Sequence, residues 1–386
     1  MRKLHAIFLV YLILIAIFTP FTFEFVSFQT QLTETLFGGI TKWMASLFGL
    51  QIDPYENFTS DSIQLYLLYL ILFPLASTLV IIFSRFDFVK KYAPNLKSFF
   101  TSILVYYLAL ISLKYGLDKL NGNQFKFPEP NLLFTPLGYL DKDILYWSVM
   151  GASPGYLFFL GVIEVLVAVL LLIRKTRVFG IVFALITYTQ VVAVNFGFDI
   201  SVKLFSTYLL IVSLTLLYPY LLKVYHSVKH QHPLIVQRKS LQKEKVQIVI
   251  QSLAIVFILT ESIYPAYVSY KLNHFVPTEE NMYGAYEVNN RMNSRGIKRV
   301  FIHTENYLIL QTEEDDFVDY KMNWSMDKQV IHVTDYDNQQ FTVPYKWVDN
   351  KILVFELDSM EIQTSPIAIK DLPLSQPLFH WTVDQL

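Results

Sequence analysis

Seven apolar stretches of about twenty residues constrain the fold of this 386-residue chain more than any other feature. They occupy residues 6–25, 63–83, 99–116, 154–173, 179–196, 202–222 and 246–267. A helix of about 20 residues spans the ~30 Å hydrocarbon layer of a bilayer. Hydrophobic residues make up 53% of the chain and charged residues only 16%, which is unusual for a soluble protein. The sequence therefore predicts an α-helical polytopic membrane bundle with about seven transmembrane helices.

Basic residues occur in alternate connections between these stretches. They precede the first, separate the second from the third and the fourth from the fifth, and follow the sixth: Arg2, Lys3, Arg85, Lys90, Lys91, Lys97, Arg174, Lys175, Arg177, Lys223, Lys229, Arg238, Lys239, Lys243 and Lys245. The positive-inside rule assigns such connections to the cytoplasm. We expect a retained first helix, a cytoplasmic N-terminus and a non-cytoplasmic chain after Tyr267.

The pattern changes beyond Asn273 to short strands separated by turn-like clusters. Predicted strands cover residues 299–303, 307–311, 317–323, 329–334, 340–345, 351–357 and 361–369. Residues 271–386 carry 18 acidic and 10 basic side chains, so this part of the chain is acidic. We predict an all-β antiparallel C-terminal domain, a meander that forms a small sandwich or barrel. Trp324, Trp347 and Trp381 are expected at its core or rim.

Two connections on the predicted outer side have a structure of their own. Residues 32–50 repeat apolar side chains at helical spacing, which predicts an amphipathic helix. Such a helix either lies on the membrane surface or packs on the outer ends of the bundle. Residues 121–143 contain three prolines and are too broken for a long helix, so we expect this segment to cap the bundle from outside.

The absence of cysteine excludes several kinds of chemistry. No disulfide, thiolate metal site or iron–sulfur cluster can form on this chain. The eight histidines fall outside the predicted spans, which argues against paired haem ligation in the bilayer. No metal site is predicted. The acidic run at residues 313–316 is interpreted as a solvated turn, with a calcium site as the alternative.

Polar residues at the spans are the candidate site. An ionisable group at the bilayer centre costs at least ~2–3 kcal/mol, so each one implies a partner or a cavity. We predict a polar intramembrane pocket open to the outer face, formed by Lys114, Asp118, Lys119, Glu164, Gln190, Asn195, Asp199 and Lys203. Glu164 lies ~15 Å inside its span, and Glu261 of the last span could join the group. The group is a structural ion pair, a ligand or quinone pocket, or a proton path through Glu164.

Short motifs between residues 99 and 222 resemble the DoxX family of small four-helix membrane proteins. They are Tyr115-Gly116-Leu117-Asp118-Lys119-Leu120, Gly161-Val162-Ile163-Glu164 with the aliphatic run after it, and Arg174-Lys175-Thr176-Arg177. The resemblance implies a bacterial inner (cytoplasmic) membrane protein and makes Lys119 and Glu164 the family-like polar residues. Relatives in that family include a subunit of a quinone-reducing enzyme and a maturation factor.

Four regions follow from this comparison: two N-terminal helices with an outer amphipathic helix (1–98), a DoxX-like core (99–222), a basic cytoplasmic loop with the seventh helix (223–272), and the outer acidic β-domain (273–386). One functional hypothesis is an inner-membrane scaffold or maturation factor that presents the β-domain to a partner. The alternative is a quinone-linked oxidoreductase, or its membrane subunit, with Lys119, Glu164 and Asn195 around the ring. Quinone is then the candidate cofactor. The bilayer and a protein at the outer face are the expected partners, and no nucleic acid is expected.

Overall fold

The chain divides into two compact units in the computed structural model, which describes residues 3–21, 24, 28–52, 58–230, 245–273, 282–290, 296–325, 329–348, 352–357, 360–376 and 382. One unit, the membrane bundle, comprises Met1–Gln124 and Gly155–Leu272. The other, the barrel domain, comprises Phe125–Pro154 and Asn273–Leu386. The predicted fold class, a helical membrane bundle followed by an antiparallel β-domain, is confirmed.

Eight of the helices belong to the membrane bundle. They are α1 (Lys3–Phe18), α2 (Phe28–Leu47), α3 (Ile63–Phe83), α4 (Asp87–Leu120), α7 (Pro154–Leu172), α8 (Arg177–Gly197), α9 (Lys203–His230) and α10 (Lys245–Asn273). Two short helices lie in the barrel domain, α5 (Pro130–Leu133) and α6 (Lys142–Gly151).

Six helices of the described chain are long and apolar enough to cross a membrane: α3, α4, α7, α8, α9 and α10. The spanning part of α10 is Val249–Val268. Helix α1 is apolar but has only 16 residues, which gives a length of ~24 Å and ends it well before the predicted residue 25. Asn121 Nδ2 at the end of α4 donates to the Ala266 carbonyl of α10 at 2.8 Å, so these two helices end at the same side of the bundle.

Helix α2 presents three different faces. Its buried face is largely small or polar and includes Thr33, whose Oγ1 donates to the Phe18 carbonyl at 2.9 Å, and Thr41, which is fully buried. A second face exposes a stripe of large apolar residues: Phe28, Leu32, Leu36, Ile40, Trp43 and Leu47. A third exposes polar side chains such as Thr35 and Lys42. Helix α2 therefore packs on the bundle, which is one of its two predicted arrangements, and leaves an apolar stripe exposed. Its position on the membrane surface stays a prediction.

Eight antiparallel strands form a closed barrel in chain order. They are β1 (Gly284–Val288), β2 (Ile297–Ile302), β3 (Tyr307–Thr312), β4 (Phe317–Ser325), β5 (Val330–Thr334), β6 (Gln340–Val348), β7 (Ile352–Leu357) and β8 (Met360–Ile367). Pairing of Tyr286 with Pro366 is part of the β1–β8 ladder that closes the barrel. Seven of the strands overlap predicted ones, whereas β1 was missed because its five residues carry little alternation.

Side chains fill the interior of the barrel. Alternate residues of every strand point inward, and the fully buried ones include Val300, Leu308, Ile331 and Phe355. An eight-stranded barrel is just wide enough for side chains to fill it. Trp324 and Trp347 pack against this core as predicted, while Trp381 lies outside the described residues.

The segment Phe125–Pro154, which joins α4 to α7 in the chain, is part of the barrel domain. Phe134 packs on the outer surface of the barrel against Phe301, Ile309 and Phe317. The segment doubles back on itself at Gly151, where a Cβ atom would lie 1.8 Å from the Lys126 carbonyl oxygen. The sequence-based boundary at residue 273 thus grouped this segment with the membrane core, whereas its contacts group it with the strands. The expected cap on the bundle stays a prediction.

Candidate functional site

Two glycines bring α4 and α7 into close contact. A Cβ atom on Gly116 would lie 3.0 Å from the Gly161 carbonyl oxygen and 2.9 Å from the Val165 nitrogen. A Cβ atom on Gly161 would lie 2.9 Å from the Gly116 carbonyl oxygen. Small residues allow helix backbones in a membrane to approach in this way. Lys119 and Glu164 each follow one of the glycines by three residues, so the crossing places their side chains next to each other.

Lys119 and Glu164 form a buried ion pair. Lys119 Nζ lies 2.8 Å from Glu164 Oε2 and 3.0 Å from Oε1, and both residues are less than 9% exposed. The ammonium group also donates to Gln124 Oε1 at 2.8 Å and lies 5.5 Å from the centre of the Tyr115 ring. Both carboxylate oxygens therefore accept from the lysine, which is the arrangement that offsets the cost of burying two charges.

Tyrosine hydroxyls extend the polar interior of the bundle. Tyr188 of α8 shares a 2.8 Å hydrogen bond with Ser112 of α4, and the serine hydroxyl also donates to the Leu108 carbonyl. Tyr188 lies within electrostatic range of Glu164. The hydroxyl of Tyr107 is buried and has no hydrogen-bond partner within the described parts of the chain. Buried hydroxyls of this kind usually bind a water molecule.

A second polar cluster surrounds the start of α9. Asp61 accepts from the backbone nitrogens of Lys203 and Leu204 at 2.9 Å each, so it caps α9 from the connection that precedes α3. Lys203 Nζ lies 2.8 Å from Asp199 and 3.6 Å from Asp61. Asn195 is buried, and its Nδ2 lies 3.4 Å from the Val202 carbonyl in the same turn. The predicted local pair between Asp199 and Lys203 is present.

The remaining candidate residues divide between these clusters and the surface. Lys114 and Asp118 flank the ion pair on α4, where Asp118 interacts with Lys114 and accepts a hydrogen bond from Asn123. Gln190 is exposed on α8 and lies outside both clusters. Glu261 is fully buried in α10 and accepts from the Glu24 backbone nitrogen. The structure thus distributes the predicted pocket over an α4–α7 pair and an α8–α9 turn.

Two residues of these clusters, Gln124 and Asp61, were not predicted from the sequence. Gln124 lies beyond the predicted end of its span, and Asp61 has the sequence context of an ordinary helix start. Neither position therefore indicated that its side chain contacts a polar cluster. Asp61 could have been found only from the Ser60-Asp61-Ser62 capping pattern, which predicts a local cap and not one on a distant helix.

A third polar group attaches the Phe125–Pro154 segment to the barrel. Glu129 accepts from Thr304 Oγ1 at 2.5 Å, and His303 Nε2 lies 3.7 Å from its other carboxylate oxygen. Tyr283 also forms a hydrogen bond with Glu129. Burial of the Tyr283 phenol raises its pKa above the ordinary value, and the nearby Glu129 carboxylate raises this pKa further. Five residues later in the segment, Phe134 stacks on the Phe301 ring at 5.8 Å.

The barrel surface near Phe134 adds a cation and a hydrogen bond to this attachment. The Arg299 guanidinium lies 4.6 Å from the centre of the Phe134 ring, and Gln311 Nε2 donates to the Phe134 carbonyl at 3.2 Å. The acidic turn between β3 and β4 is held by Asp315, which bonds to Lys298 and Gln311 at 2.9 Å each. Within the described residues no group of three or more histidine or carboxylate side chains could hold a metal ion.

These features define a multi-pass helical membrane protein with a C-terminal β-barrel domain. No family model and no solved structure match the chain. Over 113 residues it is 34% identical to the uncharacterized protein YwoB of Bacillus subtilis (strain 168), an alignment that covers 29% of this chain and 71% of that protein. The chain therefore belongs to the same family as YwoB.

Proposed function

We propose that this protein is a scaffold or accessory protein of the bacterial cytoplasmic membrane that presents its β-barrel to a partner protein on the non-cytoplasmic side. The proposal is based mainly on the contact between Phe134 and the outer surface of the barrel. Connections between elements commonly have only about 4–6 residues. The connection between α4 and α7 is much longer, and its residues Phe125–Pro154 belong to the barrel domain. The barrel is thereby joined to the bundle by the chain at three points, at the ends of α4 and α10 and at the start of α7.

The chemistry of the two units supports a binding role. The barrel interior is filled by apolar side chains, and Lys119 occupies both carboxylate oxygens of Glu164. The acidic excess in residues 271–386 favours a partner with a basic contact surface, because complementary charge speeds association and rejects other partners. Glu313 and Glu314 in the turn between β3 and β4 are exposed and offer such a contact.

Photo-crosslinking tests the proposed partner. A photoreactive residue is introduced at Glu314 or at Val318, which is 43% exposed on the barrel, and for comparison at Phe158, which is 62% exposed on α7. We expect one discrete protein adduct from the barrel positions, and the adduct from Val318 should weaken when Glu313→Lys and Glu314→Lys are introduced beside it. An identical adduct from Phe158, or none from either barrel position, would contradict the proposal.

The proposed orientation rests on the alternation of basic connections. The proposed location in the cytoplasmic membrane rests on the resemblance to DoxX proteins, which makes Lys119 and Glu164 the family-like polar residues. Because the chain has no cysteine, single cysteines report accessibility without background. A membrane-impermeant maleimide added to intact spheroplasts should label Glu314→Cys and spare Lys229→Cys until the membrane is permeabilised. The reverse pattern would invert the topology and remove the proposed site of partner binding.

A further inference from the structure

The membrane bundle carries a groove between α1, α3 and α4, at the end where α4 begins. Its volume is about 740 Å³, within the range of small-molecule sites in proteins. The walls are mostly apolar and include Val10, Leu79, Phe83 and Phe100. Lys3, Lys90 and Lys97 also line it, and none of its described lining residues is acidic. The groove therefore combines an apolar trough with three cationic side chains.

The charges of this groove are incompletely neutralised by the protein. Lys90 pairs with Asp87 at 2.8 Å, but that aspartate side chain is 96% exposed, so water and salt screen the pair. Lys3 and Lys97 form no salt bridge with any described residue. Lys97 is half-buried between the apolar walls. Beside these apolar walls the Lys97 ammonium loses part of its contact with water, and a bound anion would offset that loss.

Helix α4 supplies the shape of the groove. Asp87–Leu120 is much longer than a bilayer requires, so its first turns extend to the membrane surface, where lysine side chains reach the headgroups. Pro94 lies inside this extension and has no N–H to donate to the Lys90 carbonyl. Ala6 of α1 and Ala93 of α4 are alanines of the lining, and their small side chains leave the trough open.

We infer that this groove binds one anionic diacyl phospholipid, with the headgroup phosphate between Lys3, Lys90 and Lys97 and an acyl chain along the apolar walls. Basic pockets between membrane helices recognise anionic lipid headgroups through such a combination of charge and hydrocarbon. The site is independent of the proposed partner of the barrel, since it lies entirely within the bundle.

Native mass spectrometry of the full chain in detergent tests the lipid site. Phosphatidylglycerol or phosphatidylcholine is titrated into the delipidated protein, and bound lipid is counted. We expect one phosphatidylglycerol to bind at least tenfold more tightly than phosphatidylcholine. The triple variant Lys3→Gln, Lys90→Gln, Lys97→Gln should lose this preference, whereas Lys175→Gln with Lys223→Gln should keep it. Equal preference in the triple variant and the wild type would overturn the site.

A groove-filling variant separates a lipid from a free anion. Ala93→Leu keeps all three lysines but fills the trough, so it should weaken phosphatidylglycerol binding several-fold while thermal stability confirms folding. Inorganic phosphate or glycerol phosphate at millimolar concentration should not displace the lipid. Displacement by phosphate, together with full binding by Ala93→Leu, would identify a simple anion site and overturn the lipid assignment.

Discussion

Lys119 Nζ lies 2.8 Å from one carboxylate oxygen of Glu164 and 3.0 Å from the other, and this bidentate contact joins α4 to α7 inside the membrane bundle. One turn away on the same two helices, the backbones of Gly116 and Gly161 are in close contact. The close approach at the glycines brings the two helices together at the point where the lysine meets the carboxylate.

Loss of one charge of the ion pair should destabilise the bundle. Glu164→Leu leaves the Lys119 ammonium buried without its carboxylate, at a cost of about 3–5 kcal/mol, whereas Glu164→Gln keeps a hydrogen-bond acceptor and should cost less. The double variant Lys119→Met, Glu164→Leu should recover most of the loss. Thermal unfolding in detergent measures all three. Equal, negligible effects of Leu and Gln would remove the structural role of the pair.

The glycine contact should be sensitive to a single methyl group. Gly116→Ala places its Cβ atom 2.9–3.0 Å from backbone atoms of α7, so the helices must separate, at a cost of about 1–3 kcal/mol. Gly155→Ala is the matched control on α7, because nothing lies within 4 Å of its added Cβ atom. Thermal unfolding should give a lower melting temperature for Gly116→Ala than for Gly155→Ala. Similar melting temperatures would show that the two helices can separate at little cost.

Removal of the Phe134 ring should release the α4–α7 connection from the barrel. Phe134→Ala loses the stack on Phe301 and the Arg299 contact, together about 1–3 kcal/mol. Limited proteolysis should then cut within Phe125–Pro154 faster than in the wild type. Leu137→Ala in the same segment is the control, since Leu137 is 69% exposed. Unchanged cleavage in Phe134→Ala would show that other contacts hold the segment.

Neighbouring residues of α2 should differ in their access to water. Leu36 belongs to the apolar stripe and Thr35 to the polar face, yet both are exposed on the protein itself. If lipid covers the stripe, a water-soluble maleimide should label Thr35→Cys quickly in proteoliposomes and Leu36→Cys slowly, with the difference lost in denaturant. Equally rapid labelling of both would place the whole helix in water.

The pattern of hydrophobic residues predicted the architecture because spans and strands are each encoded by a short, continuous stretch of sequence. A bilayer requires about 20 apolar residues per span, and a half-buried strand requires alternation, so α3, α7 and most of the barrel strands could be located from the sequence. The burial of Glu164 followed from the same argument, since a charge inside an apolar stretch needs a partner. Lys119 lies beyond the predicted span 99–116, so this argument did not predict its burial.

The unpredicted features depend on contacts between distant parts of the chain. Asp61 caps α9 across more than a hundred residues, and nothing around it marks that destination. Phe134 lies between two spans and therefore reads as a membrane-proximal loop, although its ring packs on β2. Helix α2 has apolar and polar positions at helical spacing, but only its neighbours decide that Thr33 and Thr41 face inward.

The most direct test of the scaffold account is native mass spectrometry of the gently solubilised protein, scanned for both a second protein and a quinone-sized ligand. We expect a protein partner that is lost when Glu313→Lys and Glu314→Lys reverse the charge of the barrel turn. We also expect this complex to carry no quinone. A stoichiometric quinone that disappears on Glu164→Ala would contradict the account and identify the membrane bundle as the site of a quinone-linked activity.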